Sequence, residues 1–331
     1  MTRAGARPGS APPHPLDPTM DRLSTPVTRR GFLGAALGAA AAGTSAAALA
    51  ACAASPRTAT TTTTAPTAAA SAGGAASAAP AAARVPGLQL YTVRGLMEQD
   101  VEGTLRTLAG IGYKELEFAG YFGRQPAALR ATLDGLGLRA PAAHVPLELF
   151  RTALPATLDA ANALGHQYLV CPFLAPADRT ADSYKRLGAE FTTIGRACQA
   201  RGVRFAYHNH EFEFADVGGG RTGYDLLLAE SDPAAVQFEL DLFWATKAGR
   251  DPVALFAAHP GRFSLCHVKD MREPRGAQEM VAVGEGGIDF ARIFAAGRTA
   301  GLRHYFVEHD NPSDPMASVR TSYGTLSRLL A

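Results

Sequence analysis

The chain has 331 residues, a formal net charge of +2 and an apolar fraction of 47%, the profile of a soluble globular protein with ample material for a core. The near-neutral balance leaves no electrostatic footprint for nucleic acid, so no nucleic-acid partner is expected. Four cysteines make no CxxC pair, which sets aside the zinc-ribbon and dithiol-redox classes; Cys171, Cys198 and Cys266 lie in apolar runs and read as buried free thiols.

Residues 1–52 read as an address. At 28–34, "TRRGFLG" places Arg29 and Arg30 ahead of an Ala/Leu/Gly-rich run that reaches Ala51 and resembles a twin-arginine export signal. The run closes on "LAAC", which is similar to the lipobox of bacterial lipoproteins and makes Cys52 the residue that would be lipidated after cleavage. A transmembrane anchor ranks second, because the run is weakly hydrophobic and ends in small residues. From Met20, "MDRLSTPVTRRGF" already forms a complete basic leader, so Met1 and Met20 are both candidate starts. The resemblance implies the twin-arginine export machinery as a partner and a final location in the cell envelope or periplasm. Membrane contact is expected only through a lipid on Cys52. Residues 53–84 are Ala, Thr, Ser, Pro and Gly with almost no charge, a composition that cannot bury enough surface to offset its ordering entropy and reads as a disordered linker. That leaves one folded domain, 85–331, close to the ~250 residues typical of a (β/α)8 barrel.

Within that domain, eight strand-like runs alternate with helix-like ones. The strands are read at 87–93, 113–119, 138–145, 167–173, 203–210, 236–244, 263–270 and 304–310. Most intervening helical runs close on a glycine suited to a C-terminal cap, and Asp251-Pro252 and Asp314-Pro315 mark helix starts. Strands alternating with helices argue for a parallel sheet. Eight units of this size favour closure into an α/β barrel of the TIM type over an open doubly wound sheet, and no GxGxxG follows the first strand.

In such a barrel the residues that carry chemistry lie at the C-terminal ends of the strands. Those ends hold Glu117, His144, His208, His210, Glu239, Asp241, His267, Lys269 and Glu308. Taken singly, each reads as a satisfied core group. Taken together they are buried charges from separate strands that need one another or a metal. Two imidazoles and two carboxylates suit manganese, zinc, iron or cobalt better than calcium, with magnesium also admitted. The expected ligand set is His208, Asp241, His267 and Glu308, which would leave positions open for a substrate.

"YHNHEFEF" (207–214), "FELDLFW" (238–244), "HVKDM" (267–271), "VGEGGIDF" (283–290) and "VEHD" (307–310) follow one another in an order that resembles the xylose-isomerase-like barrel family. The likeness is to its sugar phosphate isomerase/epimerase subgroup and covers the whole folded part. It implies a metal at the same four positions. Better-understood epimerases of the family carry a glutamate where His208 stands, and Trp244 replaces a histidine often found three residues after the aspartate. Glu211 or Glu213 would restore a carboxylate if the strand end curls inward.

Catalytic roles are expected for Glu308, His208, Lys269 and His144, the last of which resembles a strand-three histidine of the family, and substrate contacts for Glu117, His210, Trp244 and Glu285. Lys269 shares a strand face with His267, so it either stabilises an enolate oxygen or pairs with Glu239 or Asp241. Trp244 and Phe243 offer an apolar wall to a sugar ring or pack in the core. Glu285 either orders its glycine-rich loop or reaches a sugar hydroxyl. "GEGG" lacks the Lys-Ser/Thr of a nucleotide loop. The expected activity is that of a divalent-metal-dependent sugar isomerase or epimerase acting through an enediolate on a non-phosphorylated sugar or keto-sugar. The alternatives are a lyase or hydrolase on a keto-sugar or glycoside, and a non-catalytic sugar-binding lipoprotein.

Overall fold

The structure, a computed structural model, describes residues 84–273, 276 and 278–331. The expected signal at 1–52 and the linker up to residue 83 lie outside the described residues. Among the described residues no helix is long and apolar enough to cross a membrane.

Eight parallel strands close into a barrel. They are β1 (Pro86–Gln89), β2 (Glu115–Phe118), β3 (Arg139–His144), β4 (Tyr168–Cys171), β5 (Arg204–His208), β6 (Val236–Asp241), β7 (Phe263–Val268) and, last, β10 (His304–Val307). Each pairs with its neighbours in chain order, and β1 closes the ring against β10. Two short strands, β8 (Asp270–Arg272) and β9 (Glu279–Val281), form a separate antiparallel pair beyond β7.

All eight expected strands are present but shorter than the apolar runs that suggested them. The reason lies in the caps. The run through Trp244 contains a strand end and a helix start: Asp241 closes β6, and its Oδ1 accepts from the Trp244 amide at 2.9 Å, capping the helix Leu242–Lys247. Trp244 therefore stands on a helix and not on a strand. Likewise β5 ends at His208, and the chain turns through the short helix Phe212–Phe214.

The long helix Ala181–Gln199 shows how the outer layer is built. Thr180 caps it by accepting from the Ser183 amide, and Tyr184, Leu187, Phe191, Ile194 and Cys198 recur at helical spacing on its buried face. Gly195 is required there because a Cβ would collide with the backbone carbonyl of Ala235.

Inside the barrel, Ala142, Tyr168, Val170, Ala206, Leu265 and Phe306 form their own apolar cluster. Strand side chains on one face recur every two residues. His144, His208, His267 and Glu308 therefore sit one step above Ala142, Ala206, Leu265 and Phe306. An apolar floor thus underlies a polar layer at the C-terminal mouth. Below that floor, the His304 imidazole meets Glu115 Oε2 at 2.7 Å.

Candidate active site

The polar layer is a single connected network. Glu117 on β2 accepts from Gln89 Nε2 at 2.8 Å and lies 2.7 Å from His267 Nε2. Glu239 on β6 lies with one oxygen, Oε2, 2.9 Å from His144 Nε2, 3.2 Å from His208 Nδ1 and 3.0 Å from His267 Nε2. On the far side of His267, Nδ1 meets Glu308 Oε2 at 2.6 Å and lies 3.9 Å from Asp241 Oδ2. His208 Nε2 is also 3.9 Å from Asp241 Oδ2. Lys269 completes the ring, with Nζ 3.0 Å from Asp241 Oδ2, 2.8 Å from Glu308 Oε2 and 2.8 Å from Asp310 Oδ1.

Burial and charge set the protonation states. Burial alone would lift Glu239 and Glu308, yet the neighbouring cations outweigh it: His267 holds Glu239 well below the usual carboxylate range, and Lys269 with His267 does the same for Glu308. Desolvation pushes Asp241 up to about 6 even with Lys269 beside it. Glu117 is raised by burial and by the Glu239 charge. Desolvation and the His267 charge push His208 down to about 3, so its ring is neutral. Desolvation opposes charging His144 and His267 as well, but their carboxylate neighbours prevail and raise both. Lys269 is buried yet held firmly protonated, because Asp241, Asp310 and Glu308 overcome its desolvation.

The donor chemistry fits a divalent cation. Five carboxylates, Glu117, Glu239, Asp241, Glu308 and the partly exposed Asp310, share the network with the Lys269 ammonium and the His144 and His267 imidazoles, whose affinity for a proton they raise; acids still outnumber these three cations, a balance that suits a further cation. Glu117 Oε1, Glu239 Oε1 and Asp241 Oδ2 are buried without a hydrogen bond, although Asp241 Oδ2 has the Lys269 charge nearby. Two sets of ligand atoms lie within 4.8 Å of one another: Asp241, His267 and Glu308, and His144, His208, Glu239 and His267. Of the expected ligands, Asp241, His267 and Glu308 form the first set, while His208 belongs to the second and lies 3.9 Å from Asp241 Oδ2 through its Nε2. That spacing lies within the span of two donors each ~2.1 Å from one ion.

The other expected site residues divide. Glu117 and His144 lie inside the network. His210 follows β5, its ring 5.0 Å from His208 and 5.6 Å from Trp244, and both His210 Nδ1 and Trp244 Nε1 are buried without a partner. The Trp244 ring lies 5.7 Å from Lys269 Nζ, so the tryptophan borders the cluster, while Phe243 is buried beside it. Glu285 is not brought to the cluster: its side chain is exposed. Its loop is ordered instead by Asp270, whose carboxylate accepts from the amides of Met271, Gly284, Gly286 and Ile288. Neither Glu211 nor Glu213 supplies a carboxylate to the mouth. Glu211 pairs with Lys247, and Glu213 turns away to accept from Tyr207 Oη and the His210 amide. Of the two pairings expected for Lys269, the one with Asp241 is present and the one with Glu239 is not, and Glu308 and Asp310 join it.

Sequence reasoning left Gln89, Asp310 and the central place of Glu239 without roles. For Glu239 a signal exists, since it shares a strand face with Asp241 two residues on.

The family model for the xylose isomerase-like TIM barrel matches residues 105–327. The chain belongs to the xylose isomerase-like TIM barrel family. Within it, the chain is similar to a sugar phosphate isomerase/epimerase of Parabacteroides distasonis, with 27% identity over 76% of this chain and 97% of the other and a TM-score of 0.65. It is 25% identical to the rhizopine catabolism protein MocC of Rhizobium meliloti over 70% of this chain and 82% of that protein. The IolI protein, whose structure holds a zinc atom, shares the fold at 14% identity, covering 74% of this chain and 98% of the other, with a TM-score of 0.59.

Proposed function

We propose that this family member is a divalent-metal-dependent isomerase or epimerase acting through an enediolate on a non-phosphorylated sugar or keto-sugar. The observation that carries this reading is the convergence of His208, Asp241, His267 and Glu308 at the barrel mouth with the buried Lys269 ammonium beside them. The isomerase/epimerase relative from Parabacteroides distasonis supports the same class. These four residues would hold the ion, which polarises a substrate carbonyl and acidifies the adjacent C–H when bound.

The chain's own residues then divide the proton work. Glu308, held ionised, takes the proton from the carbon beside the carbonyl. Lys269, fixed and charged, stabilises the oxyanion that develops. His144, made more basic by Glu117 and Glu239, returns a proton to another carbon or face. His210 and Trp244 offer unpartnered ring nitrogens to substrate oxygens at the rim. The leader read at 1–52 would place this chemistry in the envelope or periplasm, with lipid attached at Cys52, where sugar phosphates are seldom met.

A second reading is elimination. Neither Glu211 nor Glu213 reaches the mouth, so the fifth strand adds no second carboxylate base, and a single base suits loss of a β-oxygen substituent from a keto-glycoside.

The test is proton exchange. Protein loaded in turn with Mn, Zn, Co, Fe and Mg is incubated in heavy water with a panel of keto-sugars and keto-glycosides and followed by NMR. Deuterium entering the carbon beside the carbonyl supports the isomerase reading, and accompanying release of a leaving group selects elimination. Binding without exchange under every metal overturns both and leaves a sugar-binding protein.

A further inference from the structure

Three imidazoles from three strands meet one carboxylate oxygen. Glu239 Oε2 lies 2.9 Å from His144 Nε2, 3.2 Å from His208 Nδ1 and 3.0 Å from His267 Nε2. An ionised carboxylate only accepts hydrogen bonds, so each nitrogen that faces it must carry a hydrogen. A neutral imidazole has one N–H and one lone pair, and fixing the first fixes the second. For His208 the hydrogen is then on Nδ1, which leaves the lone pair on Nε2. That nitrogen looks toward Asp241 Oδ2, 3.9 Å away. For His267 the Nε2 hydrogen goes to Glu117 Oε2 at 2.7 Å, with Glu239 Oε2 at 3.0 Å beside it, and Nδ1 donates to Glu308 Oε2 at 2.6 Å, so a cation beside Asp241 Oδ2, 3.9 Å away, would take the place of that Nδ1 proton.

We infer that Glu239 is a positioning residue that sets the His208 tautomer, turning the His208 Nε2 lone pair onto a cation site beside Asp241, while Glu117 and Glu239 together hold a hydrogen on His267 Nε2. This rests on the metal reading given above and adds a residue to it. Glu117 shares this work at His267 but not at His208: its Oε2 meets Gln89, His267 at 2.7 Å and, more loosely, His144 at 3.4 Å. Glu239 Oε2 lies 3.2 Å from His208 and 3.0 Å from His267. Ligating histidines are commonly oriented by a carboxylate on their other nitrogen, and loss of such a partner lowers metal affinity by roughly 10–100-fold.

Two measurements test this. In the first, the affinities of wild type, E239Q, E117Q and D241N for Zn²⁺ and Co²⁺ are measured by chelator competition, and the visible spectrum of each Co²⁺ form is recorded. A glutamine can aim its NH₂ at an imidazole and reverse the His208 tautomer. E239Q should therefore lose roughly 10–100-fold in affinity and show a Co²⁺ spectrum with one nitrogen ligand fewer. E117Q should lose less and keep the wild-type spectrum. In the second, long-range ¹H–¹⁵N correlation on histidine-labelled wild type reads the tautomers directly and needs no variant to fold. His208 should carry its hydrogen on Nδ1.

A His208 hydrogen found on Nε2 overturns the assignment, as does an E239Q protein with wild-type affinity and spectrum. If D241N has lost the ion while E239Q keeps it, the inference about Glu239 falls and the proposed function stands. If wild type takes up neither ion, both fall together.

Discussion

Lys269 Nζ lies 2.8 Å from Glu308 Oε2, with the lysine only 2% exposed. The ammonium thus shares an oxygen with the residue assigned to proton abstraction, and it also touches Asp241 and Asp310. Replacing it by methionine leaves a nearly isosteric chain among uncompensated carboxylates. Breaking a buried pair this way costs about 3–5 kcal/mol, so K269M should melt well below wild type in chelator. Added divalent ion should restore part of the loss by supplying positive charge to Asp241 and Glu308. Turnover should fall by roughly 10²–10³, as for removal of an oxyanion-stabilising donor, while metal content persists. Thermal melts with and without metal, read beside the heavy-water exchange rate, decide the matter; an unchanged exchange rate would remove Lys269 from the chemistry.

The two oxygens of Asp241 separate structure from function. Oδ1 caps the helix Leu242–Lys247 through the Trp244 amide, while Oδ2 faces His208, His267 and Lys269. Asparagine can keep the cap with its own oxygen but forfeits the charge. D241N should therefore lose most of its bound metal while the helix keeps its cap. D241A should lose the metal as well and an additional ~1 kcal/mol from the missing cap. Metal analysis and urea denaturation of the two variants, both in chelator, isolate the capping difference.

The barrel was legible because period-2 apolar runs separated by capped helices leave few other topologies for eight strands. The order of the strands that carry the clustered polar residues was legible too, since each polar residue stands at the end of its run. Strand ends were harder to read. Leu242, Phe243 and Trp244 are as apolar as the strand they follow, and only Asp241, a capping residue, marks the change. The small sheet β8–β9 went unread because "KDMR" merges with the preceding strand in any hydrophobicity pattern. Glu285 drew attention as the charged residue of its loop, while Asp270 holds that loop from fourteen residues earlier through backbone amides, which no side-chain motif reveals. The partners of Lys269 depend on Asp310 beyond β10, a closeness that exists only once the barrel has closed.

The leader makes a prediction independent of the barrel. If Arg29 and Arg30 mark a twin-arginine substrate, changing both to lysine should strand a full-length precursor in the cytoplasm. Changing Cys52 to alanine should leave export intact and release the protein from the membrane fraction. Cell fractionation with gel mobility checks both; a double-lysine variant that still reaches the envelope would dismiss the twin-arginine reading.

Glu213 gives the fold a pH dependence that can be assigned to one side chain. It is buried, accepts from Tyr207 Oη at 2.5 Å and from the His210 amide at 2.8 Å, and is pushed up to about 7 chiefly by desolvation. In the unfolded chain its reference value is 4.5. Below that value both states are protonated and the group is neutral in the linkage. As pH rises from there through 7, the unfolded chain sheds its proton first, so the unfolded state gains and folding stability falls. The full effect is on the order of 3 kcal/mol. Glutamine cannot ionise, so E213Q should lack this slope. It also gives up an acceptor for the His210 amide, which adds a constant offset at every pH. The gap between wild type and E213Q should therefore move in favour of the variant from pH 4.5 to pH 8, whatever its sign at the start. Urea midpoints of the two proteins across that range measure the gap directly. Parallel curves would mean that Glu213 is hydrated in solution and does not carry the pH dependence.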